Sequence, residues 1–319
     1  MDISKAVPVV RPKRSKLARE ERWVFALFVS PWFIGFLVFQ VFVFAYGIYI
    51  SFTNFSGLGP YRFVGLRNYI RAFTTYWTDT GYSLGLTLKY AVCSVTIGLV
   101  LSLALALLLN QKIKTIGLFR TVYYLPAVVP TVASTLVWSY MFDPTFGYIN
   151  RFLQLIHLHP VKWIPGPPEF WALIIMGTWG AGAGTVLYLA ALQGVPEHLL
   201  ESAQIDGANA FQRFFRITLP MISPVILYTT ITGIIGAMQL YTQAVLFGGG
   251  NPTTPKGADR SVYFFMVYIT NKAFSDRQLG MGAALSWILF FIILLLTALL
   301  FYVMKPYVYY EVEQTGKEQ

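Results

Sequence analysis

ESAQIDGANAFQRFFRITLPMISP, residues Glu201 to Pro224, is the stretch on which the reading of this 319-residue chain turns. It is polar, amphipathic and broken by Gly207, yet it sits where two charge-free runs, 170–196 and 217–255, approach each other. Pro196 and then Glu197 suit the first turn of a helix, and Leu199, Leu200 and Ala203 fall on one face of it. Gly207 ends that pattern, as glycine does at helix ends. Phe211, Phe214, Phe215 and Thr218 then recur at i, i+3, i+4 and i+7, with Arg213 and Arg216 elsewhere on the surface and Pro220 and Pro224 closing the stretch. The expectation is two short helices joined at Gly207. Their stripe of three phenylalanines must be covered either by lipid or by a groove on a partner.

Outward from this stretch the chain is apolar. Hydrophobic residues make up 56% and charged residues 12%, about half the share of an average soluble domain. Six runs carry no Asp, Glu, Lys or Arg: 23–61, 90–111, 121–142, 170–196, 217–255 and 278–304. About 20 apolar residues span a bilayer as a helix, and in lipid every backbone polar group must be paired internally. The fold class expected is therefore an all-α membrane protein with six transmembrane helices, near 24–50, 85–109, 120–141, 171–193, 222–247 and 283–304.

The formal charge of +10 gains meaning once it is mapped. Lys5, Arg11, Lys13, Arg14, Lys16, Arg19 and Arg22 precede the first run, and Lys112, Lys114 and Arg120 flank the connection after the second. Basic residues concentrate on the cytoplasmic side, which places both termini there and makes nucleic acid an unneeded explanation of the basic tail. The organisation that follows is a basic, mostly flexible cytoplasmic arm over 1–22, one membrane domain over 23–304 with an inside loop over 194–219, and a cytoplasmic tail over 305–319. The first run is too long for the apolar core of a signal peptide and reads as a retained helix. Cys93, the only cysteine, cannot form an intramolecular disulfide and reads as a small core hydrophobe.

Several residues inside the spans invite two readings each. Pro126 and Pro130 remove backbone hydrogen bonds from the third helix, giving either a hinge or an ordinary packing feature. Gly177, Gly180, Gly182 and Gly184 around Trp179 give either a close helix crossing or a hollow beside the indole. Gln239, Tyr241, Thr242 and Gln243 bring uncharged hydrogen-bonding groups into the fifth run. Such groups can bond sugar hydroxyls without the desolvation cost of a charge, or can bond neighbouring helices. Gln239 and Gln243, at i and i+4, share a helix face and are the first choice for a substrate pathway. Trp179 and Gly180 are the second.

Missing motifs narrow the function. No G-x-x-x-x-G-K-[ST] phosphate loop exists, so energy for any transport comes from a partner or a gradient. Apart from Arg120 at the very edge of the third, only Lys89 lies inside an expected span, whereas gradient-driven carriers usually place ionisable groups there. His157, His159 and His198 are the only histidines; His157 and His159 lie in a Pro-rich outside loop without a nearby acid–Cys cluster, and no metal site and no catalytic residues are expected. An ion-gradient-driven secondary transporter or a channel stays as the alternative to a partner-driven permease.

Glu201-Ser202-Ala203, three residues, Gly207, and then Ile217-Thr218-Leu219-Pro220 resemble the EAA loop of ABC importer permeases. The position of this loop between the fourth and fifth of six spans is similar to that in the carbohydrate-type permeases, the family of the maltose and glycerol-3-phosphate importers. LPAVVP at 125–130, the trio Gly147, Ile149 and Asn150, and GGGNPTTP at 248–255 with Tyr268 and Phe274 behind it also resemble that family. The likeness runs from about residue 23 to 304. Ser202 stands where the family usually has alanine, and Phe247 with three glycines replaces its usual Thr-Gly-Gly-Pro turn. The resemblance implies an ABC type I importer permease architecture in a prokaryotic inner or plasma membrane. It implies a loop that docks in a cleft of an ATP-hydrolysing subunit, with Glu201 at the docked helix end, Gly207 at the bend and Asp206 bonding within the loop. Phe211, Phe214 and Phe215 would be its buried face, with Ser202 and Ala203 beside Glu201. It implies no cofactor on this chain, with ATP and Mg used by an ABC ATPase dimer. The other partners would be a second homologous permease in a heterodimer, an extracytoplasmic solute-binding protein, and a sugar, oligosaccharide or polyol-phosphate solute.

Overall fold

The computed structural model describes residues 16–111, 116–164, 166–248 and 260–309. Lys5, Arg11, Lys13, Arg14, Lys112, Lys114, all but the first residue of the Gly248–Pro255 motif, and the tail from residue 310 lie outside these. The described residues fall into two compact units that divide between residues 50 and 51. In the first, α1 (Lys16–Phe36) passes through a widened π turn at Leu37–Phe42 into α2 (Val43–Ser51). Trp23–Ser51 is thus one apolar helix of 29 residues. Helix α1 starts inside the segment expected to be a basic arm.

The second unit opens on an irregular hairpin closed by a bridge between Thr53 and Phe63, and continues into α3 (Arg67–Phe73). The buried Asn68 amide holds the hairpin by donating to the carbonyls of Ser51 and Thr53, 2.8 Å each. Next comes α4 (Trp77–Leu109), 33 residues long. At 1.5 Å per residue it extends about 50 Å, against about 30 Å of hydrocarbon. It begins well before the expected start near 85 because Asp79 and Thr80 in its first turns are paired with side chains of a later segment. Lys89 is exposed and lies 5.2 Å over the Phe170 ring.

The remaining spans are bent. Helices α5 (Ile116–Val128) and α6 (Thr131–Met141) meet at 105°. Pro130, with ψ of 137°, caps α6 and turns the chain, while Pro126 lies inside α5. Short α7 (Tyr148–Leu155) follows. The buried Asn150 amide spans its loop by bonding Pro144 O, Val161 O, Val161 N–H and the Trp163 indole N–H. Helices α8 (Glu169–Trp179) and α9 (Gly182–Gln193) meet at 44° around Gly180 and Ala181. Then come α10 (Glu197–Ile205), α11 (Ala210–Arg213), a π turn at Phe214–Thr218 and α12 (Leu219–Met221). Helix α13 (Ser223–Met238) leaves that segment at 66°. After a break come α14 (Thr242–Phe247), α15 (Phe265–Thr270) with a π turn to Ser275, and α16 (Leu279–Met304) with a final 3-10 turn. Among the described residues, three helices are long and apolar enough to cross a membrane, or up to six if each bent pair is one span. The third, fourth and fifth of the expected spans are thus bent pairs, broken near Pro130, Gly180 and Ile222.

The main core gathers side chains of α4, α8 and α13 to α16, including Tyr90, Phe170, Met238, Phe247, Phe265 and Leu285. A smaller core, with Ala106, Leu109, Tyr188, Leu192 and Ile222, joins the far end of α4 to α9 and to the start of α13. Above the main core the first turns of α4 meet residues 260–278. Arg260 pairs with Asp79 at 2.6 Å and lies 4.7 and 4.9 Å over the rings of Tyr82 and Tyr263. Burial pushes the Tyr263 hydroxyl up, the Asp79 charge adds to that, and burial takes Tyr268 up to about 12. The wholly buried Glu169 carboxylate accepts from the Gly166 N–H and from the Ser261 hydroxyl.

Candidate functional site

Two features of this scaffold can do work. The first is the hairpin from Pro196 to Ile222. Pro196 caps α10 and Glu197 occupies its first turn, beside the unpaired N–H groups that favour an anion. The helix ends in a Schellman arrangement: Ala208 N–H donates to Ala203 O at 2.9 Å and Gly207 N–H to Gln204 O at 3.1 Å. Gly207 takes φ of +83° and a Cβ there would meet nothing, so the glycine serves the backbone conformation rather than space. Asn209 then starts α11 with a capping box, its side chain accepting from Gln212 N–H while the Gln212 side chain accepts from Asn209 N–H. Arg213 reaches back to Gln204 at 2.7 Å and ties the two arms together. The bond that Asp206 makes within the loop is a main-chain one, its N–H donating to Ser202 O.

Glu201 lies at the middle of α10 with its side chain exposed, rather than at a helix end. Ser202 is exposed, Ala203 is half-buried, and Ser202 returns its hydroxyl to His198 O. Phe211, Phe214 and Phe215 form one ring cluster, with centroids 4.4 Å apart for Phe211 and Phe215 and 5.0 Å for Phe214 and Phe215. Phe211 is 70% exposed, and Ile205 beside the bend is 86% exposed. Burying one such side chain is worth about 1.5–3 kcal/mol, so this hairpin presents an apolar knob braced by its own hydrogen bonds. The sequence reading missed Ile205, although an isoleucine one residue before the Asp-Gly bend was its signal.

The second feature is a cleft of about 420 Å³ between α4, α9 and α13, lined also by Gln243 of α14. Its polar groups are uncharged, among them Tyr90, Ser94, Ser102, Tyr188, Thr229 and Gln243. Glycines let the walls approach: a Cβ on Gly184 would stand 2.9 Å from Ser102 Oγ, and one on Gly233 3.3 Å from Val95 Cγ2. Tyr188 and Thr229 share a hydrogen bond across the cleft wall, and Ser102 donates to Ala181 O at 3.0 Å, where α8 and α9 part.

The residues expected to line a path are only partly brought together. Helix α13 ends at Met238 with Gln239 as its cap, and α14 restarts at Thr242 after Tyr241. Gln239 and Gln243 therefore do not share one helical face. Gln243 lines the cleft, while Gln239, Tyr241, Trp179 and Gly180 are not among its described lining residues. Trp179 packs edge-on against Trp138 at 6.1 Å, and Gly180 caps α8. Of the two readings of the fourth-span glycines, the close crossing has direct geometry: a Cβ on Gly182 would strike the main-chain carbonyl of Tyr123 in α5. Tyr188, Thr229 and Ser102 were missed because single hydroxyls within apolar runs do not announce which neighbour they face.

Comparison with known proteins agrees with this scaffold. The profile of a family described as binding-protein-dependent transport system inner membrane component matches residues 98–307. The probable ABC transporter permease protein YesP of Bacillus subtilis is 31% identical over 305 residues, covering 94% of this chain and 96% of that protein. The trehalose/maltose transport system permease protein MalF of Thermococcus litoralis is 33% identical, covering 89% and 94%. The lactose transport system permease protein LacF of Rhizobium radiobacter is also 33% identical, covering 86% and 92%. Among solved structures, a bacterial ABC transporter involved in import of the acidic polysaccharide alginate superposes with a TM-score of 0.76 at 22% identity, covering 92% of this chain and 99% of that one. The same kind of transporter in complex with an alginate pentasaccharide-bound periplasmic protein gives 0.77 at 21% identity, covering 92% and 98%.

Proposed function

The chain belongs to the family of binding-protein-dependent transport system inner membrane components, and from that premise we propose that it is a permease subunit that imports a sugar with energy from a separate ATPase. The observation that carries this reading is the braced, apolar hairpin from Pro196 to Ile222, projecting between two apolar segments of a chain without a phosphate loop. Its ring cluster and Ile205 dock in a cleft of an ABC ATPase subunit, two of which bind ATP and Mg. The 66° elbow into α13 turns the motion of that subunit into motion of the cleft wall. The bent pairs each count as one span, giving six, with both termini in the cytoplasm of a prokaryote. A second, homologous permease completes the membrane portion, and an extracytoplasmic binding protein delivers the solute. Sugar permeases among the relatives and an uncharged cleft with hydroxyl, phenol and amide groups support a saccharide. Hydroxyl-rich solutes satisfy such groups, whereas an isolated charge there would go without a counter-ion.

Reconstitution tests the class. The chain alone in vesicles with an imposed proton or sodium gradient is expected to accumulate no sugar, and to do so only with its ATPase, companion permease and loaded binding protein. Gradient-driven accumulation by the lone chain would overturn the reading. The pathway is tested by contrast: Gln243→Leu should lower uptake about tenfold, the loss of one buried hydrogen bond to the solute with its partner left unpaired. Gln239→Leu, at the exposed cap, should leave uptake near wild type. Equal uptake by both variants would remove Gln243 from the path.

A further inference from the structure

The elbow of the hairpin carries one more connection. Ile222, 1% exposed, ends the α12 segment, and Ser223 is the first residue of α13. The Ser223 hydroxyl donates to Pro220 O at 2.5 Å and accepts from the main-chain N–H of Tyr309 at 2.9 Å. Tyr309 follows the 3-10 turn Lys305–Tyr307 that ends α16, and Val308 before it is buried. A single oxygen, 7% exposed with its residue, therefore joins three segments: the last turn of the hairpin, the start of α13 and the chain leaving α16. The two bonded residues are 86 positions apart in sequence.

We infer that Ser223 is a positioning residue through which displacement of the hairpin reaches α16 as well as α13. The inference rests on the hairpin being the coupling element. The reasoning is mechanical. A helix leaving an elbow at 66° can swing about that elbow. If α13 alone were attached to the hairpin, it would slide along α16 when pushed. The bond from Tyr309 N–H fastens the end of α16 to the same point, so both helices follow one displacement. The connection is made by a backbone donor, which side-chain changes at position 309 leave in place, and by a hydroxyl held in one orientation by its own bond to Pro220 O.

The test uses the complete transporter in vesicles, measuring both ATP hydrolysis stimulated by loaded binding protein and sugar taken up. Ser223→Ala removes the hydroxyl without adding atoms and, with Tyr309→Ala as the control for the lost ring, Tyr309→Pro removes the N–H. Each is expected to lower sugar taken up per ATP hydrolysed by about three- to tenfold, the scale of one neutral hydrogen bond, with membrane assembly unchanged. Ser223→Thr and Tyr309→Ala, which keep the bond, should retain the wild-type ratio. Tyr309→Pro keeps the proposal falsifiable if Ser223→Ala does not assemble, because Tyr309 is 52% exposed. A wild-type ratio in both bond-breaking variants overturns the inference and leaves the importer reading standing. Absence of stimulated hydrolysis in the wild-type complex would overturn the importer reading itself.

Discussion

Gly207→Val is expected to separate fuel consumption from transport, cutting sugar taken up per ATP hydrolysed about five- to thirtyfold while the chain still reaches the membrane. The position takes φ of +83°, and no atom lies within 4 Å of where a Cβ would sit. Space is therefore not the obstacle. The obstacle is the left-handed backbone, which costs an L-residue about 1–2 kcal/mol and is hardest for a β-branched one. Each 1.4 kcal/mol is about tenfold, which sets the range. Relieving the strain rotates the chain at residue 207 and gives up the Ala208-to-Ala203 and Gly207-to-Gln204 bonds. The ring cluster of Phe211, Phe214 and Phe215 then no longer keeps its place relative to α10. Gly207→Asn should keep most of the coupling, since asparagine visits this conformation readily. Parallel measurement of hydrolysis and uptake checks the claim, and a wild-type ratio in the valine variant would refute it.

Gly182→Val acts on folding rather than coupling, and no assembled protein is expected in the membrane. A Cβ at 182 collides with the carbonyl oxygen of Tyr123 and stands 3.0 Å from its carbonyl carbon. Both are main-chain atoms and cannot rotate aside. Overpacking of this kind costs about 1–3 kcal/mol even where side chains can yield. At about 2–4 °C per kcal/mol for a chain of a few hundred residues, Gly182→Ala should melt several degrees below wild type in detergent. Gly85→Ala, on α4 where a Cβ meets nothing, should melt at or slightly above the wild-type temperature. If the alanine variants at 182 and 85 melt together, the close approach of α5 and α9 is not what holds this part of the molecule.

What could be read in advance was what depends on near neighbours in the chain. The end of α10 at Gly207 and the ring contact of Phe211 with Phe215 are set within a few residues, and the sequence pattern displays them. The charge-free runs likewise mark the apolar segments, because lipid tolerates few alternatives to a helix. Continuity of those segments was not legible. The 105° turn between α5 and α6 is allowed by Pro126 and Pro130, but proline alone gives no angle. The i, i+4 relation of Gln239 and Gln243 presumed a helix that stops at Met238, where the freed end meets other segments. Ser102, Tyr188 and Thr229 converge on one cleft only because glycines at 184 and 233 let three helices close on each other. That is a property of the packed molecule, invisible along any one run. The long reach of α4 beyond residue 85 was hidden for the same reason, since Asp79 finds its cation at Arg260, 181 residues away.

The cleft between α4, α9 and α13 has an electrical consequence. Among the described residues its walls carry tyrosine, serine, threonine and glutamine but no carboxylate, ammonium or guanidinium. A transmembrane voltage does work only on charge displaced through it, about 2.3 kcal/mol per elementary charge per 100 mV. On the proposed reading, a neutral solute passing such walls drags no ion along and leaves no countercharge behind. On that reading, polarising or short-circuiting the membrane therefore has nothing to grip in this passage.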